Sequence, residues 1–231
     1  MITKTDARLW TDGRYFIQAA AQLEGTTVEL MKMGEPGVPE MNAYIEEVLK
    51  EGETLGFDGR VVSVGEGEGY AAIAGKKNAK VNYQVDLIDE IWEDRPVLSE
   101  EPAFNLDVKY AGETVASKLA RIREEMKEAG TNVHVVSTLD DICWTLNIRG
   151  NDIDFFPLVL SYGIITMDSF ELYIDERKLD DKLKAKLAKD GVNLHPYNDI
   201  YEDVKKFGSD VVAMIDPGKL NYALFNNIPE N

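Results

Sequence analysis

The chain has 231 residues, 44% apolar and 29% charged, enough for one large core or two modest ones, and its composition is neither that of a disordered nor of a fibrous protein. Its 25 basic residues stand against 42 acidic ones, and the net charge of -17, spread along the chain, repels phosphate backbones and argues against nucleic-acid binding. The single cysteine allows no internal disulfide, no window approaches the ~20 apolar residues of a membrane span, and the first residues lack a signal-peptide layout, so a soluble, cytoplasmic protein is expected.

Short β-branched runs alternate with helical periodicity, the signature of α/β layers. Strands are predicted over 7–10 and 27–33, with a helix over 14–23 between them. A second helix over 41–49 follows from Met41, Tyr44, Ile45, Val48 and Leu49, which share one face, with Gly52 just past its end. Strands over 55–58 and 81–85 flank a weaker helix over 63–76, where Gly65, Gly67 and Gly69 lower the helix propensity. Between Glu93 and Gly112, Arg95-Pro96, Glu101-Pro102 and Gly112 interrupt every periodic pattern. The domain boundary is placed there, giving residues 1–110 and 111–231.

The second half restarts with a helix over 113–129, in which Val115, Leu119, Ile122 and Met126 form an apolar stripe and Gly130 takes a left-handed cap. A strand over 133–137 follows. Runs over 158–166 and 170–175, separated by a short polar turn, predict an antiparallel hairpin. Leu179, Leu183 and Leu187 mark a further helix, with Asp180 and Asp181 at its start and lysines toward its end, as the helix dipole favours. The most basic stretch, 178–189, reads as one helix face. Strands over 192–195 and 211–215 and a short helix over 217–225 complete the chain.

Catalytic chemistry finds few candidates. A hydrolytic metal site needs several converging ligands, and the only histidines are His134, inside a strand run, and His195, beside Pro196 at a loop; both read as structural. Cys143, within an apolar stretch and with no histidine near it in sequence, reads as a buried small hydrophobe. No nucleophile elbow, calcium loop or phosphate loop is present, and the glutamates among Gly65, Gly67 and Gly69 oppose a bound phosphate.

Two polar constellations remain. In Trp10-Thr11-Asp12-Gly13-Arg14-Tyr15-Phe16 a strand meets a turn, Asp12 can cap the helix that follows, and Arg14 can either stay solvated or offer its planar fork to a carboxylate or peptide carbonyl. In Leu139-Asp140-Asp141-Ile142-Cys143-Trp144 and Asn147-Ile148-Arg149-Gly150-Asn151-Asp152, the simplest reading is a helix start and a turn. The alternative is a domain-contact surface in which Arg149 and Asp152 pair across a crevice.

These blocks, with Leu30-Met31-Lys32-Met33-Gly34, Gly56-Phe57-Asp58 and Ile91-Trp92-Glu93-Asp94-Arg95-Pro96, resemble in order and spacing the cytosolic-type aminopeptidase P, the Xaa-Pro aminopeptidases of the creatinase/prolidase group. The resemblance implies an α/β chain of two creatinase-like N-terminal domains, each a mixed β-sheet flanked by helices. It also implies that the first of them is truncated before the Trp10 block and that the catalytic pita-bread domain is absent. By the same resemblance Arg14 matches an arginine that reaches toward substrate, and Arg149 and Asp152 are candidates for an interdomain role. No metal or catalytic residue carries over; two divalent ions, expected to be manganese, belong to the missing domain. The expected function is the non-catalytic portion of a homodimeric peptidase that releases the residue before a proline in second position, these domains shaping access. The rivals are a stand-alone peptide or protein interaction module and a small independent hydrolase.

Overall fold

The computed structural model describes residues 1–230. Two compact units emerge, one of Met1–Leu55 with Glu68–Asn82, the other of Gly56–Gly67 with the chain from Tyr83 onward.

In the first unit β1 (Ala7–Thr11) and β2 (Val28–Lys32) pair in parallel, Ala7 opposite Val28 and Thr11 opposite Lys32, joined through α1 (Phe16–Leu23). The predicted helix over 14–23 opens instead with a 3-10 turn at Gly13–Tyr15, because Asp12 accepts from the Arg14 N–H and tightens the entry. The apolar face of α2 (Met41–Val48) buries Tyr44 and Ile45 as its spacing requires. Next come β3 (Thr54–Gly56), α3 (Val64–Lys76) and β4 (Lys80–Asn82), with β3 and β4 hydrogen-bonded to each other.

The glycine-rich helix α3 forms despite its propensity. A reciprocal cap starts it: the Ser63 N–H and Oγ–H both donate to Glu66 Oε2, at 3.2 and 2.8 Å, while the Glu66 N–H donates to Ser63 Oγ at 3.3 Å. Packing explains Gly67, since a Cβ there would lie 2.3 Å from the Tyr222 ring.

The second unit includes the stretch where periodicity fails. The segment between Glu93 and Gly112 holds β5 (Phe104–Asn105) and α4 (Val108–Ala111), too short for a periodic signal. The next elements are α5 (Val115–Glu128), β6 (Val133–Val136), α6 (Leu139–Leu146), β7 (Ile148–Arg149), β8 (Ser161–Thr166) and β9 (Phe170–Ile174). The unit ends with α7 (Asp181–Lys189), β10 (Val192–His195), α8 (Ile200–Asp203), β11 (Ala213–Met214) and α9 (Tyr222–Phe225). A five-stranded mixed sheet runs β10-β9-β8-β6-β11. Strand β8 is antiparallel to both its neighbours, the hairpin with β9 forming as predicted, while β9/β10 and β6/β11 are parallel. Strand β5 pairs antiparallel with β7 in a separate ribbon.

Alternation along the strands sorts two cores. Phe170, Leu172 and Ile174 of β9 pack with Leu119, Met126, Ile142, Leu146, Leu183 and Leu187 from α5, α6 and α7. The opposite face, with Val133, Val135, Ile164 and Tyr173, packs with Ile200 and Val204 around α8 and with Leu220 and Leu224 by α9. The predicted helix over 217–225 shrinks to α9 for a hydrogen-bonding reason. The Leu220 and Pro217 carbonyls accept from the Val64 and Gly65 N–H groups, so they serve the open start of α3 instead of a helix of their own.

Candidate functional site

The turn after β1 holds Arg14. Asp12 Oδ1 accepts from both the backbone N–H and Nε of Arg14 at 2.9 Å, and Oδ2 accepts from Nη2 at 2.7 Å. These bonds from Arg14 hold the Asp12 carboxyl down at about 2. The Arg14 side chain is 80% exposed, so one edge of its fork is fixed by Asp12 while the group projects into solvent. Behind it, Trp10 donates from Nε1 to the Pro39 carbonyl at 2.8 Å and packs on Tyr44. Arg8 lies over the Tyr44 ring, and Asp6 accepts from both Tyr44 and Arg8.

The second constellation lies in the other unit and is largely buried. Asn147 ends α6 in the left-handed conformation, φ 53°. Arg149 Nη1 donates to the Cys143 and Ile148 carbonyls at 2.8 and 2.7 Å, tying the last turn of α6 to the start of β7. Asp152 Oδ2 accepts from the Leu160 N–H at 2.7 Å and from Lys178 Nζ at 2.5 Å, in an ion pair whose side chains are 2% and 0% exposed. Arg149 and Asp152 thus take different partners, and no ion pair between them is present among the described residues. Asp152 Oδ1 is buried and accepts from no described residue.

Sequence reasoning missed two lysines. Lys178, read as part of a helix face, precedes α7 and is buried against Asp152. Lys118, on the apolar stripe of α5 between Val115 and Leu119, is 1% exposed. Its ammonium donates to the Trp144 carbonyl and Asn147 Oδ1, each at 2.7 Å, and sits 4.2 Å from the Trp144 ring centroid. Burial pushes its pKa down. The available signal was a lysine three residues from Val115, where the helix period demands an apolar side chain.

Both histidines make local contacts. His134 Nδ1 lies 3.0 Å from the Met214 carbonyl. His195 closes β10, not a loop; Nε2 lies 2.6 Å from Glu171 Oε2 and its ring stacks on Tyr173 at 4.9 Å. Cys143 is fully buried, which pushes its thiol pKa up and away from reactivity. Among the described residues no group of three or more His, Cys, Asp or Glu converges to hold a metal ion, so these residues do not fit a metal centre. No described helix is long and apolar enough to cross a membrane.

One further feature escaped the sequence. At the carboxyl ends of the parallel strands β9 and β10 a cavity of about 590 Å³ opens, with Leu160, Ile174, Pro196, Tyr197 and Arg177 in its lining. Tyr197 joins it to a tyrosine cluster in which the Tyr162 and Tyr201 hydroxyls lie 3.2 Å apart and Asn221 donates to Tyr201 at 3.0 Å. Burial raises the pKa of all three tyrosines, so they stay protonated.

Comparison with known proteins gives a consistent result. Residues 1–91 match one family and residues 94–231 a second, both described as a creatinase/prolidase N-terminal domain. Aminopeptidase P2 of Arabidopsis thaliana is 38% identical over 98% of this chain and 32% of its own length. A Xaa-Pro aminopeptidase of Caenorhabditis elegans is 35% identical over all of this chain and 38% of its own. The crystal structure of the X-prolyl aminopeptidase from Caenorhabditis elegans, described as a cytosolic enzyme with a di-nuclear active site, superposes with a TM-score of 0.92 over 99% of this chain and 38% of that one. The chain spans about a third of the length of these relatives.

Proposed function

The chain belongs to the creatinase/prolidase N-terminal domain family, and from that membership we propose that it is the non-catalytic N-terminal portion of a Xaa-Pro aminopeptidase. The observation that carries this reading is the pairing of relatives with an inventory: proteins named as Xaa-Pro aminopeptidases align along the chain, while its histidines, cysteine and carboxylates gather into no ligand group or activated nucleophile among the described residues. Hydrolysis then falls to residues outside this sequence, together with the metal pair, expected to be manganese.

The contribution of these residues is positioning. A proline in second position has a fixed backbone angle and no amide donor, and rigid walls beside a reacting centre admit that shape while excluding bulkier folded chains. Arg14, on its exposed turn, would hold a peptide carboxylate or carbonyl. Arg149 and Asp152 shape the segment that ends α6, through which a second domain would be braced. Homodimerisation and a cytoplasmic location complete the reading.

The test assays two proteins with manganese and a tripeptide carrying proline in second position: this chain, and the longer product of its reading frame. Release of the N-terminal residue by the longer protein alone is expected. Turnover by this chain overturns the non-catalytic assignment. A longer protein with no turnover sinks the peptidase reading in favour of an interaction module.

A further inference from the structure

Sheets with parallel strands bind ligands outside the carboxyl ends of those strands, and the cavity at the ends of β9 and β10 occupies that place. Its volume of about 590 Å³ is that of a small-molecule site. The floor is apolar, with Ile174 fully buried, and Leu160, Pro196 and the Tyr197 ring line the sides. The remaining lip is the segment 97–100, which has no regular secondary structure and presents Val97 and Leu98 at 85% and 61% exposure.

An ion pair ties this lip to the rest of the lining. Arg177 Nη1 meets Glu100 Oε1 at 2.6 Å. The other edge of the guanidinium is held separately, Nε and Nη2 donating to Asp175 at 2.5 to 3.1 Å. Both Glu100 and Arg177 are more than half exposed, at 51% and 67%, so their contact is weakly held and exchangeable. The buried Lys178 on the lining is neutralised by Asp152 and takes no part in the exchange.

We infer that this cavity is a binding site for a small carboxylate with an apolar body, whose carboxylate replaces that of Glu100 on Nη1 of Arg177 while its apolar part lies on Leu160, Pro196 and Tyr197. The exchange substitutes one carboxylate for another and leaves the Asp175 contacts intact. A cationic ligand would have to take a carboxylate from a cation already holding it, since Asp175 and Glu100 are engaged by Arg177 and Glu176, the third carboxylate of the lining, by Lys184 at 3.3 Å. A neutral apolar ligand gains only the walls. The ligand class covers free N-acylated amino acids and the carboxyl end of a short peptide, which share this chemistry. The site is independent of the peptidase reading, since its test uses this chain alone and measures no turnover.

The experiment titrates the chain with N-acetyl-leucine, N-acetyl-leucinamide and acetyl-Ala-Ala-Leu, followed by calorimetry and by the Tyr197 ring resonances. The acid is expected to saturate and the amide not, and comparison of the acid with the tripeptide identifies whether a free acid or a peptide end is preferred. Glu100→Gln removes the internal competitor and should tighten the acid about two- to fivefold. Arg177→Met should weaken it at least about tenfold, with far-UV circular dichroism confirming the fold. Equal affinity for acid and amide, weaker binding by Glu100→Gln, or no saturation of either the parent chain or Glu100→Gln on the order of 10 mM overturns the proposal. The Glu100→Gln arm decides the matter even where Arg177→Met fails to fold.

Discussion

The turn at Asp12 and Arg14 and the segment from Asn147 to Asp152 look alike in sequence, each placing a basic residue near an aspartate beside a helix end, yet the structure makes them physical opposites. Arg14 and Asp12 are two residues apart, 80% and 43% exposed, and pair in solvent. Asp152 ignores its neighbour Arg149 and finds Lys178, 26 residues away, where both are dry. Exposed pairs gain little because water screens the attraction and two side chains must be ordered to make it. In a buried pair, each charge has left water and depends on the other. The first arrangement is therefore available to a partner, and the second is a constraint on the fold.

The comparison is broken most sharply at Asp152. Asp152→Ala strands the buried Lys178 ammonium and the Leu160 N–H, and should destabilise the second unit by roughly 3–5 kcal/mol, read as a shift in urea unfolding. Lys178→Met strands the carboxylate with a similar cost. The double variant Asp152→Leu/Lys178→Met should recover most of either loss, since an apolar pair of similar volume replaces two desolvated charges. Losses that simply add would mean that the two groups do not depend on each other.

Lys118 sharpens the same point with a buried cation whose hydrogen bonds go to a carbonyl and an amide oxygen. Lys118→Met leaves Asn147 Oδ1 without its donor and the Trp144 carbonyl with only the Asn147 N–H at 3.4 Å, and should cost about 1–3 kcal/mol at neutral pH. Its folded pKa is lowered from 10.5, so at pH values between the two the unfolded chain binds more protons, and the stability of the parent chain rises with pH across that window. The variant lacks this term. The gap between parent and variant should therefore widen as the pH is raised toward 10.5, and a gap that narrows would refute the assignment.

How much of this was legible follows from the range of each interaction. Periodicity located α2, α5, α7 and the β8/β9 hairpin, because those signals are contained in a dozen neighbouring residues. The same local signal could not see the burial of Lys178 or the pairing of β5 with β7, which joins Phe104 to Arg149. It also underestimated α3, where Gly67 serves a tyrosine more than 150 positions along the chain. Phe155 shows the limit most plainly: a bulky side chain with φ 62° and full exposure follows no rule of composition. The family blocks were readable; the partners of Asp152, Lys118 and Arg177 were not, since they are set by the sheet.

The smallest structural effect is expected at Arg14, and its smallness is what makes the residue informative. Arg14→Ala removes a solvated group whose partner Asp12 keeps its cap to the backbone N–H, so the thermal midpoint should stay within about a degree. On the proposed peptidase reading, in which the fork holds substrate, the same change in a full-length enzyme should raise KM for a Xaa-Pro peptide about fivefold to tenfold. Asp12→Asn keeps an oxygen for the cap but loosens its hold on the guanidinium, and should lower KM. Opposite movement of KM in two variants of equal stability cannot come from a folding defect, whereas unchanged kinetics in both would leave Arg14 as nothing more than the partner of its cap.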